Sequence, residues 1–444
     1  MTSEEPAIAV GLLDKCEAAR IDLHGPFLDL SGRLLSPGEL HVECRTGVLS
    51  CQGVWQGEAR ELNLAPADNE SCQFGLEATI GINFHWQQRE MESFRGSLQI
   101  LPQPDGRLTV VNRVPLETYL TSVVCSEMKA SSPPEFIKAH AVISRSWLLA
   151  QLAARDLAVQ VDFPQQKVVE GELMRWTDRE AHEDFDVCAD DHCQRYQGTA
   201  RIDVPGVVAA IRQTRGEVLA YDGRPCDARF SKNCGGVSEE FQTAWGNQAV
   251  PYLVALRDAR GPDRKPPPLA DDRAMRAFLQ NPPAAYCDCT EKSILSGVLN
   301  DYDLPDANVF RWRVRLAASE ASRLVRQKLA TDLGRLLSLE PIERGPSGRM
   351  KRLRLVGEQG SLVIGKELEI RRVLSETHLY SSAFVVDVEG PSQRPEAFLL
   401  SGAGWGHGVG LCQIGAAVMA HQGAGYRAIL EHYYPGTQLQ QFYS

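Results

Sequence analysis

The chain has 444 residues, 43% of them hydrophobic and 23% charged, with a formal net charge of −10. That length is enough for a sizeable core and two or three subdomains, and the acidic balance argues against a nucleic-acid partner. No apolar run approaches the ~18 residues of a membrane span, and the opening MTSEEPAIAV lacks the basic and apolar regions of a secretion signal.

Residues 1–112 read as a β-rich N-terminal part. Short alternating or β-branched runs (IAVGLL, RIDLHG, HVECR, VLSCQG, EATIGINFHW, SLQILPQ, RLTVVN) are separated by Gly, Pro, Asp and Asn. Residues 113–258 read as a core that opens on a helical hairpin at 114–150. Pro115 suits the first helical position, and Leu116, Tyr119, Leu120, Val123 and Val124 then share one face as far as about Cys125. Ser132, Pro133 and Glu135 form a capping box for a second helix that runs to about Arg155. On it Phe136, Ala139, Val142, Ile143, Ser146 and Leu149 make one stripe, and the cations Lys138 and Arg145 share another. Glu127 falls in the break between the helices, where a side chain can reach a cleft.

The polar stretch 156–180 leads to HEDFDVCADDHCQRYQG at 182–198. Here His182, Cys188, His192 and Cys193 offer nitrogen and sulfur ligands of the type that zinc takes tetrahedrally, though not at the spacing of a standard finger. A Cys188–Cys193 disulfide and plain surface residues are the alternatives, and Cys287 and Cys289 could contribute from a distance. Twelve cysteines are many for a cytoplasmic enzyme, but they are scattered, and a chain this long needs no disulfide framework. Cys44 and Cys51 flank a Thr-Gly turn and could bridge a hairpin; Cys125 reads as a small core residue.

Strands alternate with Gly turns over 214–236, and a Pro- and charge-rich segment follows at 257–272. Residues 259–385 read as an inserted mixed α/β subdomain with a helix-rich stretch at 319–337, and 386–444 as the C-terminal part of the core. The expected class is therefore α+β, with no internal repeat. The closing GWGHGVGLCQIGA is a glycine-rich loop that feeds a helix near Gln413. Such a loop can lie along a sugar chain, with Trp405 stacking on a sugar face and His407 donating to a hydroxyl or helping a proton transfer. The other reading is that Trp405 and His407 are packed and need small neighbours. No Lys-Ser/Thr pair follows, so a phosphate-binding loop is a poorer fit.

VPLETYLTSVVCSEM with KAHAVISRSWLL, SKNCGGVSEEFQTAWGNQAVPYL at 231–253, and GAGWGHGVGLCQIGA with HYYPGT at 402–437 together resemble, in order, the motifs of the stage II sporulation protein D (SpoIID) and LytB amidase-enhancer family. PSGRMKRLRLVG and RRVLSETHLYSSAF are weaker matches. The departures are His140 for a Gln, Ser146 and Trp147 near the end of the second helix motif, and Cys234 for a Ser. The resemblance implies Glu127 as the catalytic acid, Lys138 and Arg145 as the basic helix positions, and His182, Cys188 and Cys193 as zinc ligands; His192, next to Cys193, is either a fourth ligand or points away and leaves that place to water or a substrate group. It also implies a cell-envelope location with a trimmed signal; otherwise the chain is cytoplasmic and acts on another carbohydrate.

The carboxylates decide the chemistry. Ordinary glycoside hydrolysis uses two, yet Glu117 is explained by the helix dipole and Glu135 by capping. One acid suffices when the substrate supplies the nucleophile. In peptidoglycan the muramic acid C6 hydroxyl can attack its own C1, which leaves a 1,6-anhydro ring. The expected function is thus a peptidoglycan lytic transglycosylase, a lyase acting on glycan strands stripped of stem peptides. Lys138 and Arg145 would meet the exposed lactyl carboxylate beside the track, away from the acid, because a nearby cation lowers a carboxyl pKa; the alternative for both is a solvated basic stripe. Ser231, Trp405 and His407 are expected to face the same groove as Glu127, with 260–385 as one wall. The rival reading is a non-catalytic glycan-binding enhancer of a cell-wall amidase.

Overall fold

The N-terminal runs form strands because their apolar residues alternate. In Gly38–Arg45 the side chains of Leu40, Val42 and Cys44 are buried while Glu39, His41, Glu43 and Arg45 face out. In this computed structural model residues 4–80, 88–157, 166–169, 171–176, 182–190, 192–198, 204–261, 263–304 and 309–444 are described. The run EATIGINFHW is followed as far as Ile80; the remainder of that expectation, and much of 156–180, lies outside them. The chain divides into two units. One comprises Met1–Leu148, Ala181–Val218 and Gln440–Ser444, the other Leu149–Glu180 and Leu219–Leu439.

The first unit holds two sheets. One has seven strands in the order Val187–Cys188, Ala7–Cys16, Leu108–Pro115, Ser97–Pro102, Leu62–Pro66, Phe27–Asp29 and Leu34–Leu35. The other has six, in the order Gln88–Phe94, Gln73–Ile80, Ala18–His24, Gly38–Arg45, Val48–Gly53 and Gly57–Ala59. Thr46 and Gly47 both take positive φ (51° and 77°), as a two-residue hairpin loop requires. The register sets Cys44 opposite Leu49 and Cys51 opposite Val42, and both thiols are free. A line of rings, Phe27, Phe74, Phe94, Tyr196 and Tyr119, joins the strands to the helical hairpin through centroid separations of 5.1–6.5 Å.

Helix α1 spans Leu116–Glu127 and α2 spans Pro134–Leu157. All of α1 but Thr118 is buried, so it is a core helix rather than one with a single apolar face. The expected capping box is corrected. Helix α2 begins at Pro134, Pro133 accepts the Phe136 and Ile137 N–H groups, and Ser132 Oγ is buried without a hydrogen-bond partner. The physical reason is the Pro-Pro pair: a residue before proline is kept out of the helical region, which moves the start past Ser132. Helix α3, Pro205–Gln213, packs on α1.

The second unit contains a five-stranded sheet (Gln166–Val169, Glu172–Arg175, Gly360–Gly365, Met350–Gly357, Leu336–Arg344) and a three-stranded one (Trp312–Ala317, Ala397–Gly402, Phe384–Glu389). Leu324, Val325, Leu339, Leu353, Ile370, Phe384 and Phe398 share one core between these sheets and the helices Ala318–Leu329 and Glu367–Val373. The expected helix-rich stretch at 319–337 is half right: Ala330 turns left-handed (φ 50°) and Leu336 opens a strand. The class is α+β and sheet-rich, with 35% strand against 25% helix and no sheet closed into a barrel among the described residues.

Candidate functional site

Glu127 is the last residue of α1 and is buried. The segment 194–197 runs along this helix and holds its end. The Arg195 N–H donates to Glu127 Oε1 at 3.1 Å, and the Gln197 N–H donates to Ser126 Oγ at 3.2 Å. Tyr119 donates to Gln194 Oε1 at 3.1 Å, and Tyr196, stacked on Tyr119, donates to Asn112 Oδ1 at 2.7 Å. A carboxylate gripped by a backbone N–H at a helix end has a fixed place, which a proton donor needs.

The same segment begins in the histidine and cysteine cluster. Val187 and Cys188 pair in parallel with Val10 and Gly11, and Asp186 Oδ2 accepts the Ala9 N–H at 2.8 Å. Cys193 Sγ lies 3.4 Å from His182 Nε2 and 3.4 Å from His192 Nδ1, and Cys188 Sγ lies 3.8 Å from His192 Nδ1. All four donor atoms fall within 4.8 Å of one another. A tetrahedral zinc with Zn–S near 2.3 Å and Zn–N near 2.0 Å sets its ligands about 3.3–3.8 Å apart, so this set fits one ion, with His192 turned inward. Hydrogen bonding from Cys193, ahead of that from His182 and His192, holds the Cys188 thiol well below the usual range. Cys287 falls in a different cluster of the second unit, with Cys234, Asp258 and Cys412.

The two expected substrate cations have partners of their own. Lys138 Nζ is 2.6 Å from Glu135, one turn back on α2. Arg145 is fully buried and grips Glu117 in a fork, Nε to Oε1 at 3.0 Å and Nη2 to Oε2 at 2.7 Å, while donating also to Tyr443 Oη and the Glu217 carbonyl. Glu117, read from sequence as a dipole-stabilised acid, is therefore half of a buried ion pair.

In the second unit the turn 231–236 and the loop 404–412 lie side by side. Phe230–Ser231 pairs in parallel with Leu411–Cys412, and Asn233 bridges Trp405. Ser231 Oγ is buried without a hydrogen-bond partner. Trp405 is half-buried against the edge of Tyr380, 5.9 Å between centroids. His407 Nδ1 accepts the Val409 N–H at 3.0 Å, the ring packs on Trp245, and a further hydrogen bond goes to the Phe230 backbone. Burial, with Arg229 and Arg349 nearby, holds the imidazole well below its ordinary pKa, hence neutral. Sequence reasoning passed over Arg349. Its guanidinium is buried between the two loops, donating to the carbonyls of Gly406 at 3.0 Å and Cys234 at 3.2 Å. Gly408, at φ 75°, leaves room for it; a Cβ there would run into the guanidinium. The basic run RMKR was the only signal, and it does not say which cation turns inward.

Comparison with known proteins places the chain's similarity in two stretches. Residues 104–221 match the family model "Stage II sporulation protein", and residues 239–410 match a domain of unknown function, DUF8618. The first of these stretches contains the helical hairpin and Glu127. The chain is 24% identical over 332 residues to Stage II sporulation protein D of Bacillus subtilis, covering 74% of this chain and 76% of that one. It is 22% identical over 332 residues to the protein of the same name in Bacillus amyloliquefaciens, covering 74% and 76%. To the Amidase enhancer of Bacillus subtilis it is 26% identical over 249 residues, 52% of this chain. The chain spans about a third (32%) of that enhancer's length. It thus stands among the relatives of stage II sporulation protein D and the amidase enhancers.

Proposed function

We propose that the chain has a cell-wall role and is a lytic transglycosylase that cleaves peptidoglycan strands stripped of stem peptides, with Glu127 as the single acid and base. The observation that carries this reading is Glu127 itself, held at the end of α1 by the Arg195 N–H within the stretch similar to stage II sporulation proteins. In the step, the Glu127 carboxyl gives its proton to the glycosidic oxygen and the C1–O bond breaks. The muramic C6 oxygen bonds to C1 and its proton returns to the carboxylate, so no water is consumed. His182, Cys188, His192 and Cys193 fit a zinc ion, which would serve as a closed structural clamp on the segment that presents Arg195. Lys138, on the same hairpin as Glu127, is assigned to the lactyl carboxylate; Trp405 and Ser231, the sugar contacts expected from sequence, belong to the second unit. Arg145, whose guanidinium is committed to Glu117, acts by holding the hairpin, and His407, whose ring is bound into its own loop, acts by holding that loop. The test is incubation with denuded glycan strands and mass spectrometry of the products. Anhydro-muramic ends support the reading; intact strands, or reducing ends from hydrolysis, refute it. A second reading, a glycan-binding enhancer of a cell-wall amidase, is favoured by the similarity to the Amidase enhancer. It predicts intact strands and faster amide cleavage when an amidase is added.

A further inference from the structure

The second unit contains another convergence of ligand atoms, which neither the proposed activity nor the relatives' names account for. Cys234 lies in the turn after Phe230–Ser231, Cys287 in the segment ahead of the helix Lys292–Val298, and Cys412 is the N-cap of Gln413–His421. With Asp258 they form a group whose donor atoms all lie within 4.8 Å of one another, and all four residues are buried. The Sγ atoms of Cys234 and Cys287 are 3.6 Å apart, and Cys412 Sγ accepts the Cys234 N–H at 3.2 Å.

We propose that Cys234, Cys287, Cys412 and Asp258 hold a second metal ion, a zinc-type cation in a closed tetrahedral site of three sulfurs and one oxygen. The spacing matches: Zn–S bonds near 2.3 Å put sulfurs about 3.8 Å apart across a tetrahedral edge. Thiolate donors select a soft ion over magnesium or calcium. Asp258 supplies an independent observation. The Cys287 N–H donates to its Oδ2 at 2.9 Å and Tyr433 donates to its Oδ1 at 2.7 Å, so the carboxylate is fixed facing the thiols. Among the described residues no Lys or Arg pairs with it. His432, whose buried Nε2 is 3.7 Å from Oδ1, pairs with it as an ion only when the imidazole is protonated. A buried carboxylate without a full counter-charge is costly, and a divalent ion supplies one. Packing accounts for a single buried cysteine but not for three sulfurs aimed at an oriented carboxylate. A Cys234–Cys287 disulfide would need the sulfurs to close to about 2.05 Å and would not involve the third sulfur, Cys412, or the Asp258 carboxylate. Loading releases the thiol protons to solvent. The bound ion would tie the 231–236 turn to the end of the glycine-rich loop and to the 285–289 segment, a structural staple independent of the glycan chemistry.

The test removes the first cluster with His182→Ala, Cys188→Ser and Cys193→Ser in the full chain. Reduced protein is then loaded with zinc alone, desalted and analysed for metal. About one equivalent is expected to remain, and cobalt in its place should give thiolate charge-transfer absorption. No retained zinc in a variant folded by circular dichroism overturns the proposal. Cys412→Ser in the otherwise unmodified chain is the second arm. It should lower bound zinc by about one equivalent, and an unchanged zinc content overturns the proposal, as does a Cys234–Cys287 cross-link in place of metal by peptide mass spectrometry.

Discussion

Arg145 shows what a single residue's burial does to an assignment. Its position on α2, seven residues after Lys138, identifies a shared stripe but not which side of the helix faces the core. The structure closes Arg145 onto Glu117, and Tyr443 also donates to that carboxylate. Removing one member of a buried pair leaves the other charge stranded, at about 3–5 kcal/mol. Arg145→Met should therefore lower unfolding free energy by that amount in denaturant titration, while Lys138→Met should leave stability nearly unchanged and weaken glycan binding. Equal effects on stability would contradict the assignment. Two histidines in the second unit make stability depend on pH. Burial pushes His378 down to about 3, with Arg371 and Lys328 adding to the effect, and holds His407 well below its ordinary value. Both are neutral when folded, whereas the unfolded chain takes up protons below about pH 6.5. Their contribution is thus present above that pH and lost progressively on acidification. Melting temperature should fall from pH 7 to pH 5, and His407→Gln should flatten the fall; a flat profile in the parent chain would contradict this.

At the scale of elements, the helical hairpin was legible because a 3.6-residue apolar period is a local signal, although both starts lie one residue later than expected, with Pro115 as N-cap of α1 and Pro134, not Pro133, opening α2. The capping box failed at Ser132 because a second local signal, the Pro133–Pro134 pair, outranked it. The N-terminal strands were legible from alternation, and the 319–337 stretch was misread past Leu329 because LLSLEPIER carries apolar residues that suit either period. The segment 182–198 does more than offer ligands: it continues into the residues that grip α1. We expect His182→Ala to speed amide hydrogen exchange at Arg195 and Gln197, whose N–H groups hold Glu127 and Ser126, with little change in the Gly38–Arg45 strand. Unchanged exchange at these two amides would separate the cluster from the acid.

For the whole molecule, the motifs at 114–150, 231–253 and 402–437 were readable in order, while the partnerships between distant positions were not. Cys234 and Cys412 are 178 residues apart, and Arg349 reaches Cys234 across 115. No periodicity or short-range spacing encodes such pairs; only the folded backbone brings them together. The residue types at Glu127, Trp405 and His407 pointed to sugar chemistry, but whether a ring nitrogen is open or already bound to its loop, as in His407, follows from tertiary hydrogen bonds. The central claim is that one carboxyl performs both proton transfers. Its most direct test is Glu127→Gln assayed on denuded glycan strands, with anhydro-muramic ends counted by mass spectrometry and strand binding measured in parallel. The amide keeps the shape but gives no proton. Loss of anhydro ends by roughly a hundredfold or more, with fold and binding retained, is the predicted result; cleavage within about tenfold of the parent chain would contradict the single-acid account.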